Sequence, residues 1–298
     1  LLKTKDRNMP ALTDQDIANY QRNGYLCPLD ILSPKEAAEG RADVEALEAD
    51  YAGKLEKPVS DYLRMNAHFA SDVPLRIARD PRVLDKIEGI LGPDILLWSC
   101  EYFIKEANTK KIVSWHQDLT YWGMDGSDHE VTAWIALSPA TEHSGCMKFV
   151  PGSHTQTIVP HSDTFAQDNL LSRGQEIAVD VDENDAIFAE LQPGQMSLHH
   201  GRLFHGSGPN VSDDRRIALV MRFIRPDTPS TGASKDFAML VRGMDTSGNR
   251  INVMPPPGSF TPAQMRLYDK ITAAQTDVLA EGLGADAQLY DGQEVANG

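Results

Sequence analysis

Between residues 94 and 226 the chain breaks into short runs of β-forming residues. They read "ILLWSCEYFI", "EVTAWIALSP", "CMKFVPGSH", "QEIAVDV", "AIFAEL", "QMSLHHG" and "RIALVMRFI", with Gly, Pro, Asn and Asp between them. Many short strands divided by turn residues point to a sandwich or barrel of antiparallel strands. The flanks differ. "LTDQDIANYQRNGY" (12–25) has Thr13 as a cap and Gly24 as a stop. Ser33, Pro34 and Glu36 form a capping box, Asp80, Pro81 and Gly92 bound another helix, and Thr261 with Pro262 opens a closing amphipathic helix. The expected fold is mainly β with flanking helices, which pack outside the sheet. No internal repeat or linker divides the chain, so residues 1–298 are read as one domain with its core at about 94–226. Residues 1–11, where "LLKTKDRN" precedes Met9, are expected to be disordered or foreign to the fold.

Charge removes a class of functions. Against 28 basic residues stand 43 acidic ones, a net charge of −15, which disfavours nucleic acid and anionic membranes as partners. No run reaches the roughly 18 apolar residues of a membrane span, and the N-terminus has no secretory apolar core, so a cytoplasmic location is expected. Cys27, Cys100 and Cys146 show no CxxC spacing and are read as reduced and structural. Oligomeric state is left open.

Chemistry then falls to histidine and carboxylate. In "SWHQDLTYW", His116 and Asp118 are two apart, so in an extended segment they project from the same face. An HxD pair alone is a weak signal and needs a third ligand. Candidates are His199, His200 and His205 in "LHHGRLFHGSGPNVSDDRRIALVMRF". Two histidines and one carboxylate with open positions are the ligand set of non-haem Fe(II) oxygenases, which leaves room for a bidentate 2-oxo acid and O2. The far carboxylate of such an acid needs a cation, and arginine suits it through its two-pronged donor geometry. His68, His129, His143 and His161 are read as surface or hydrogen-bonded core residues, and His154 as loop structure.

The string HQD, Trp134 in "TAWIAL", "SGCMKFVPGSH", and "HGSGPN" followed by "RR" together resemble the phytanoyl-CoA dioxygenase family of Fe(II)/2-oxoglutarate oxygenases, over roughly residues 12–225. The resemblance implies a double-stranded β-helix, a jelly-roll, cupin-like barrel of about eight core strands. It also implies Fe(II) held by His116, Asp118 and His205, with 2-oxoglutarate and O2 as co-substrates. Arg216 and Ser207 would bind the distal carboxylate of 2-oxoglutarate, and Trp134 would wall that pocket. The reaction implied is hydroxylation of an unactivated C–H with release of succinate and CO2. Asp118 stands where related halogenating enzymes carry a small residue, which favours hydroxylation over halogenation.

Strand alternation separates Arg216 from Arg215 independently. Arg216, Ala218, Val220 and Arg222 share one face, and Ile217, Leu219, Met221 and Phe223 the other, which should meet the outer helices. Arg216 then faces the lumen, and Arg222 beside it is read as a structural ion pair. Adjacent strand residues face opposite ways, so His199 and His200 are read as supporting or structural residues and not as ligands. The family's "GD" turn is "GQ" here, Gly194–Gln195, a change expected to touch a turn hydrogen bond and not the chemistry. Trp122 and Tyr121 are expected to shape the substrate site, since Trp122 lies six residues after His116, an offset shared with the similar ectoine hydroxylases. The substrate expected is a small molecule such as an amino acid, amine or phosphonate. A larger natural-product skeleton is the alternative, and a binding protein without turnover is the rival from another class.

Overall fold

The computed structural model describes residues 11–120, 122–124, 128–166, 168–171, 174–230 and 236–279. In chain order its helices are α1 (Asp14–Asn23), α2 (Pro34–Tyr51), α3 (Val59–Arg64), α4 (Ala67–Ala70), α5 (Leu75–Ala78), α6 (Pro81–Leu91) and α7 (Pro262–Leu279). Its strands are β1 (Tyr25–Asp30), β2 (Ile95–Lys105), β3 (Val113–His116), β4 (Glu130–Ala136), β5 (Met147–Phe149), β6 (His161–Asp163) and β7 (Gln175–Ile177). They continue with β8 (Ile187–Ala189), β9 (Gln195–His199), β10 (His205–Ser207), β11 (Arg216–Ile224), β12 (Phe237–Arg242) and β13 (Ile251–Asn252).

The helix signals work as read. Thr13 and Ser33 each accept from the backbone N–H three residues on, and Asp16 and Glu36 answer in reciprocal capping boxes. Asp80 caps α6, and Gly24 ends α1 in the left-handed conformation at φ 81°.

Two sheets carry the fold. The larger has the order β1-β9-β4-β11-β2-β12-β13 and the smaller β3-β10-β5-β8, with β6 and β7 paired separately. Among the described residues no ladder joins the two sheets, so the jelly roll is an open sandwich and not a hydrogen-bonded closed barrel. The larger sheet also reaches beyond 94–226: β1 pairs with β9, and β12 with β2. The N-terminal flank, whose sequence predicts only helices, therefore also contributes a strand. "YLCPLD" lacks an alternating pattern, and it becomes a strand because β9 offers it a free edge.

β11 divides two cores. Ile217, Leu219, Met221 and Phe223 join α-helical residues such as Val44, Phe69, Ile87 and Ile271 in the outer core, while Ala218 and Val220 pack with Trp134, Phe149 and Leu203 between the sheets. Alternation has sorted one strand between the two cores. No described helix is long and apolar enough to cross a membrane.

Candidate metal centre

His116 ends β3 and His205 opens β10, and the two residues pair directly across the antiparallel ladder. Asp118 follows in a short 3-10 turn, 118–120. One potential ligand atom from each of the three residues lies within 4.8 Å of the others, and all three side chains are buried. His116 Nε2 is 3.4 Å and His205 Nε2 3.8 Å from Asp118 Oδ1. Each imidazole directs Nδ1 at a backbone carbonyl, His116 at Ser114 (3.0 Å) and His205 at Leu203 (2.9 Å). Donation there places the proton on Nδ1 and leaves a lone pair on Nε2, facing the carboxylate.

Protonation suits a cation as well. Burial, with His116 beside it, holds the His205 imidazole well below its ordinary range. Burial alone would raise the Asp118 carboxyl, but His205, His116 and His199 outweigh it and hold the group well below the usual carboxylate range. Neutral imidazoles and an ionised carboxylate are the forms a divalent metal requires. A nitrogen–nitrogen–oxygen donor set, poor in thiolate and open on one side, fits iron(II).

Gln117, between the two, points away and is 1% exposed. Its Nε2 donates to Arg202 O at 2.9 Å, and its Oε1 accepts from Val159 N at 2.8 Å. Gly206, between His205 and Ser207, lets β10 lie against β3: a Cβ there would stand 2.8 Å from Val113 O.

The other histidines separate as alternation requires. His199 Nε2 lies 3.7 Å from Asp118 Oδ2, the oxygen that also faces the Thr132 hydroxyl at 3.3 Å. That hydroxyl is 2.9 Å from Glu130 Oε1, a carboxyl pushed up to about 8 by burial and the neighbouring Asp118 charge. His200 turns outward to Asp128 at 3.1 Å, and His154 fixes the end of α1 through Gln21 O at 3.0 Å. In the "GQ" turn, Gln195 accepts from Gln192 N at 2.9 Å and donates to Asp30 Oδ1 on the neighbouring β1 at 2.8 Å.

A cavity with about 450 Å³ of empty space, part of it open to solvent, runs from these three residues to Ser207, Trp134 and Arg216. Arg216 is 1% exposed, and neither its Nε nor its Nη2 has a hydrogen-bond partner. Its guanidinium stands 5.2 Å from the Trp134 ring centroid and 5.5 Å from that of Phe103. Burial pushes its pKa down to about 9. Arg215, by contrast, points out to Glu48 and Glu106. A buried guanidinium with unmade hydrogen bonds is costly alone and suits an incoming carboxylate.

Arg222 lines the same cavity and pairs with Glu101 at 2.9 Å. Trp122 packs outside the cavity wall, 5.1 Å from Trp98 and 4.8 Å from the Arg222 guanidinium. Tyr121 lies outside the described residues. Sequence reasoning missed Thr132, Glu130, Phe103 and Lys105. The last is buried opposite Arg216, with its Nζ 2.7 Å from Ser207 Oγ. A signal existed: Glu101, Phe103 and Lys105 alternate along one face of β2, and such a polar face on an otherwise apolar strand marks a lined cavity.

Comparison with known proteins agrees with this geometry. A probable alpha-ketoglutarate-dependent hypophosphite dioxygenase of Stutzerimonas stutzeri is 27% identical over 256 residues, 79% of this chain and 88% of that protein. The ectoine dioxygenase of Bordetella parapertussis is 29% identical over 230 residues, 71% of this chain and 75% of its own. Among solved structures, the apo form of the non-haem monooxygenase ThoJ superposes with a TM-score of 0.80 at 30% identity, covering 88% of this chain and 96% of that one. The profile of the phytanoyl-CoA dioxygenase (PhyH) family matches residues 20–218, and the chain belongs to that family.

Proposed function

We propose that the protein is an Fe(II)- and 2-oxoglutarate-dependent oxygenase that hydroxylates an unactivated C–H of a small metabolite. One observation carries the reading: the buried, unpartnered guanidinium of Arg216 shares a cavity with the His116–Asp118–His205 cluster. A zinc site of structural type would have no use for that cation.

In this reading His116, Asp118 and His205 hold the iron, which when bound supplies O2 activation and the oxidation of 2-oxoglutarate to succinate and CO2. The protein's own groups position and shield. Arg216 and Ser207 grip the distal carboxylate, and Trp134 and Phe103 wall it from water. Thr132 and His199 hold the second oxygen of Asp118, so that its first faces the metal. Trp122, through the Arg222 guanidinium that lines the cavity, shapes the substrate side together with Tyr121, its neighbour in sequence. Asp118 occupies the position a halide would need, which favours hydroxylation over halogenation. The hypophosphite and ectoine relatives support a small substrate over a larger natural-product skeleton. Three free cysteines are consistent with a reducing, cytoplasmic setting.

The test is succinate formation from 2-oxoglutarate by the iron-loaded protein. Slow basal turnover, stimulated by one member of a panel of small metabolites and lost in His205→Ala, is expected. Iron-loaded protein that binds 2-oxoglutarate yet makes no succinate with any of the panel would favour a binding protein instead.

A further inference from the structure

Lys105 has an unusual position. It lies 1% exposed at the end of β2, directly opposite Arg216. Its Nζ is 2.7 Å from Ser207 Oγ and 3.4 Å from Ser207 O, and it also donates to Gly208 O. No carboxylate among the described residues pairs with it. Two cations face it, Arg216 from β11 and Arg64 from α3, while the nearby Cys146 thiol is kept neutral by burial, its pKa pushed up to about 12. The neighbouring cavity is lined by Glu48, Glu106, Lys111 and Arg215, but both acids are engaged by Arg215. Burial first, and Arg216 second, push the Lys105 pKa down to about 6.

Three oxygens surround this nitrogen, and only the Ser207 hydroxyl can also donate. A neutral amine has two N–H groups and one lone pair. The carbonyls of Ser207 and Gly208 take the two donors, and the Ser207 hydroxyl then donates to the lone pair. An ammonium has three N–H groups and no lone pair. Its third donor goes to Ser207 Oγ, which frees the hydroxyl hydrogen to turn into the cavity that Ser207 and Arg216 line. The two states of Lys105 thus present two different Ser207 side chains to a ligand.

We propose that Lys105 is a positioning residue of the co-substrate pocket: it takes up one proton as the distal carboxylate of a dianionic 2-oxo acid settles against Arg216, and so turns the Ser207 hydroxyl onto that carboxylate. The proton comes from solvent and moves to Nζ, and no covalent bond to the ligand forms or breaks. The driving force is charge. Without ligand the Arg216 guanidinium opposes a second cation beside it; a carboxylate settled against Arg216 offsets that charge and removes the opposition. A 2-oxo acid lacking the distal carboxylate has no means of charging Lys105. The inference rests on the 2-oxoglutarate reading of the site.

Anaerobic calorimetry on the full chain loaded with Fe(II), titrated with 2-oxoglutarate in Hepes and in Tris, reads both quantities. At pH 7.5 the wild type should take up close to one proton more than Lys105→Met. Its Kd should rise about tenfold per pH unit between 7 and 8, above the ligand-free pKa, where Lys105→Met is flat. Titration with 2-oxobutyrate should show no such uptake. Ser207→Ala should bind 2-oxoglutarate more weakly but keep the proton uptake, because the carboxylate's charge still offsets that of Arg216 beside the lysine. Wild type that binds 2-oxoglutarate with no proton uptake and a flat pH profile overturns the role of Lys105 even if Lys105→Met does not fold. Iron-loaded wild type that fails to bind 2-oxoglutarate at all overturns the parent reading instead.

Discussion

Replacing Arg216 by methionine should separate binding from stability, in opposite directions. Methionine keeps an unbranched apolar stem of similar bulk and ends short of the guanidinium, which already borders an open cavity, so what chiefly disappears is a buried cation without an anionic partner. Its folded pKa, about 9, lies below the ordinary arginine value. The unfolded chain therefore holds that proton more tightly, and charged Arg216 opposes folding at every pH below about 9, an opposition relieved only as pH rises further. Contacts with the Trp134 and Phe103 rings offset part of this, about 0.5 to 2 kcal/mol. At pH 7.5 the ligand-free Arg216→Met protein should melt no lower than wild type by more than about 1 kcal/mol equivalent, and higher if the burial cost dominates. Affinity for 2-oxoglutarate should meanwhile fall. A charge-assisted pair in a sheltered site contributes about 1.5 to 3 kcal/mol, or roughly 10- to 150-fold. With ligand at 100 times the wild-type Kd, ligand stabilisation drops from about 2.7 to about 0.4 kcal/mol for a hundredfold loss. Thermal melts with and without 2-oxoglutarate, on protein carrying equal iron, measure both. Arg215→Met is the control: it loses pairs to Glu48 and Glu106 at 2.8 and 3.0 Å, so it should melt lower and keep the full ligand shift. If Arg216→Met keeps the shift and Arg215→Met loses it, the strand facing is wrong.

Metal analysis should find little iron in the alanine variants of His116, Asp118 and His205. His199→Ala should reach normal stoichiometry at saturating iron with affinity lowered about 10- to 100-fold, because it supports the second Asp118 oxygen; His200→Ala should match wild type. Full iron and activity in His205→Ala would remove it from the ligand set. For Trp122→Ala, stability should fall by less than the about 3 to 5 kcal/mol of a fully buried Trp, since this ring is only partly buried, and succinate should outrun hydroxylated product. A collapse in melting temperature with the succinate-to-product ratio unchanged would make it a packing residue only. Cys27 has its pKa pushed up to about 12 by burial, so iodoacetamide at pH 8 should label the native protein far more slowly than the unfolded one; equal rates would mean that the half-buried thiol is open.

Local signals made much of this legible. The caps at Thr13, Ser33 and Asp80 involve residues two or three apart, and alternation along β11 needs one strand alone, so both could be read without a partner. What stayed hidden depends on distant pairing. Adjacency says that His199 and His200 face opposite ways but not which faces in; the pairing of His199 with Thr132 on β4 settles it. "YLCPLD" is a strand only by virtue of β9, 165 to 174 residues away along the paired positions (195 − 30 and 199 − 25). The run "ILLWSCEYFI" ends at Ile104, so Lys105 resembles a turn residue until Arg216 is found across from it.

The placement of Arg216 has a further consequence, because it is held by a ladder and not by a loop. Its strand is in continuous register with Lys105 through Ser99 on one side, and from Ala218 to Ile224 it matches Ala136 through Glu130 on the other. A slip of one residue would bring Ile217 into the lumen and send Arg216 into the apolar layer under the helices. In the role proposed for Arg216, co-substrate recognition would act as an inspection of assembly: a chain threaded one step out of place would have no cation to offer, and would be silent instead of promiscuous. For an enzyme whose metal centre can spend O2 unproductively, misassembled copies that cannot capture the electron donor are the harmless kind.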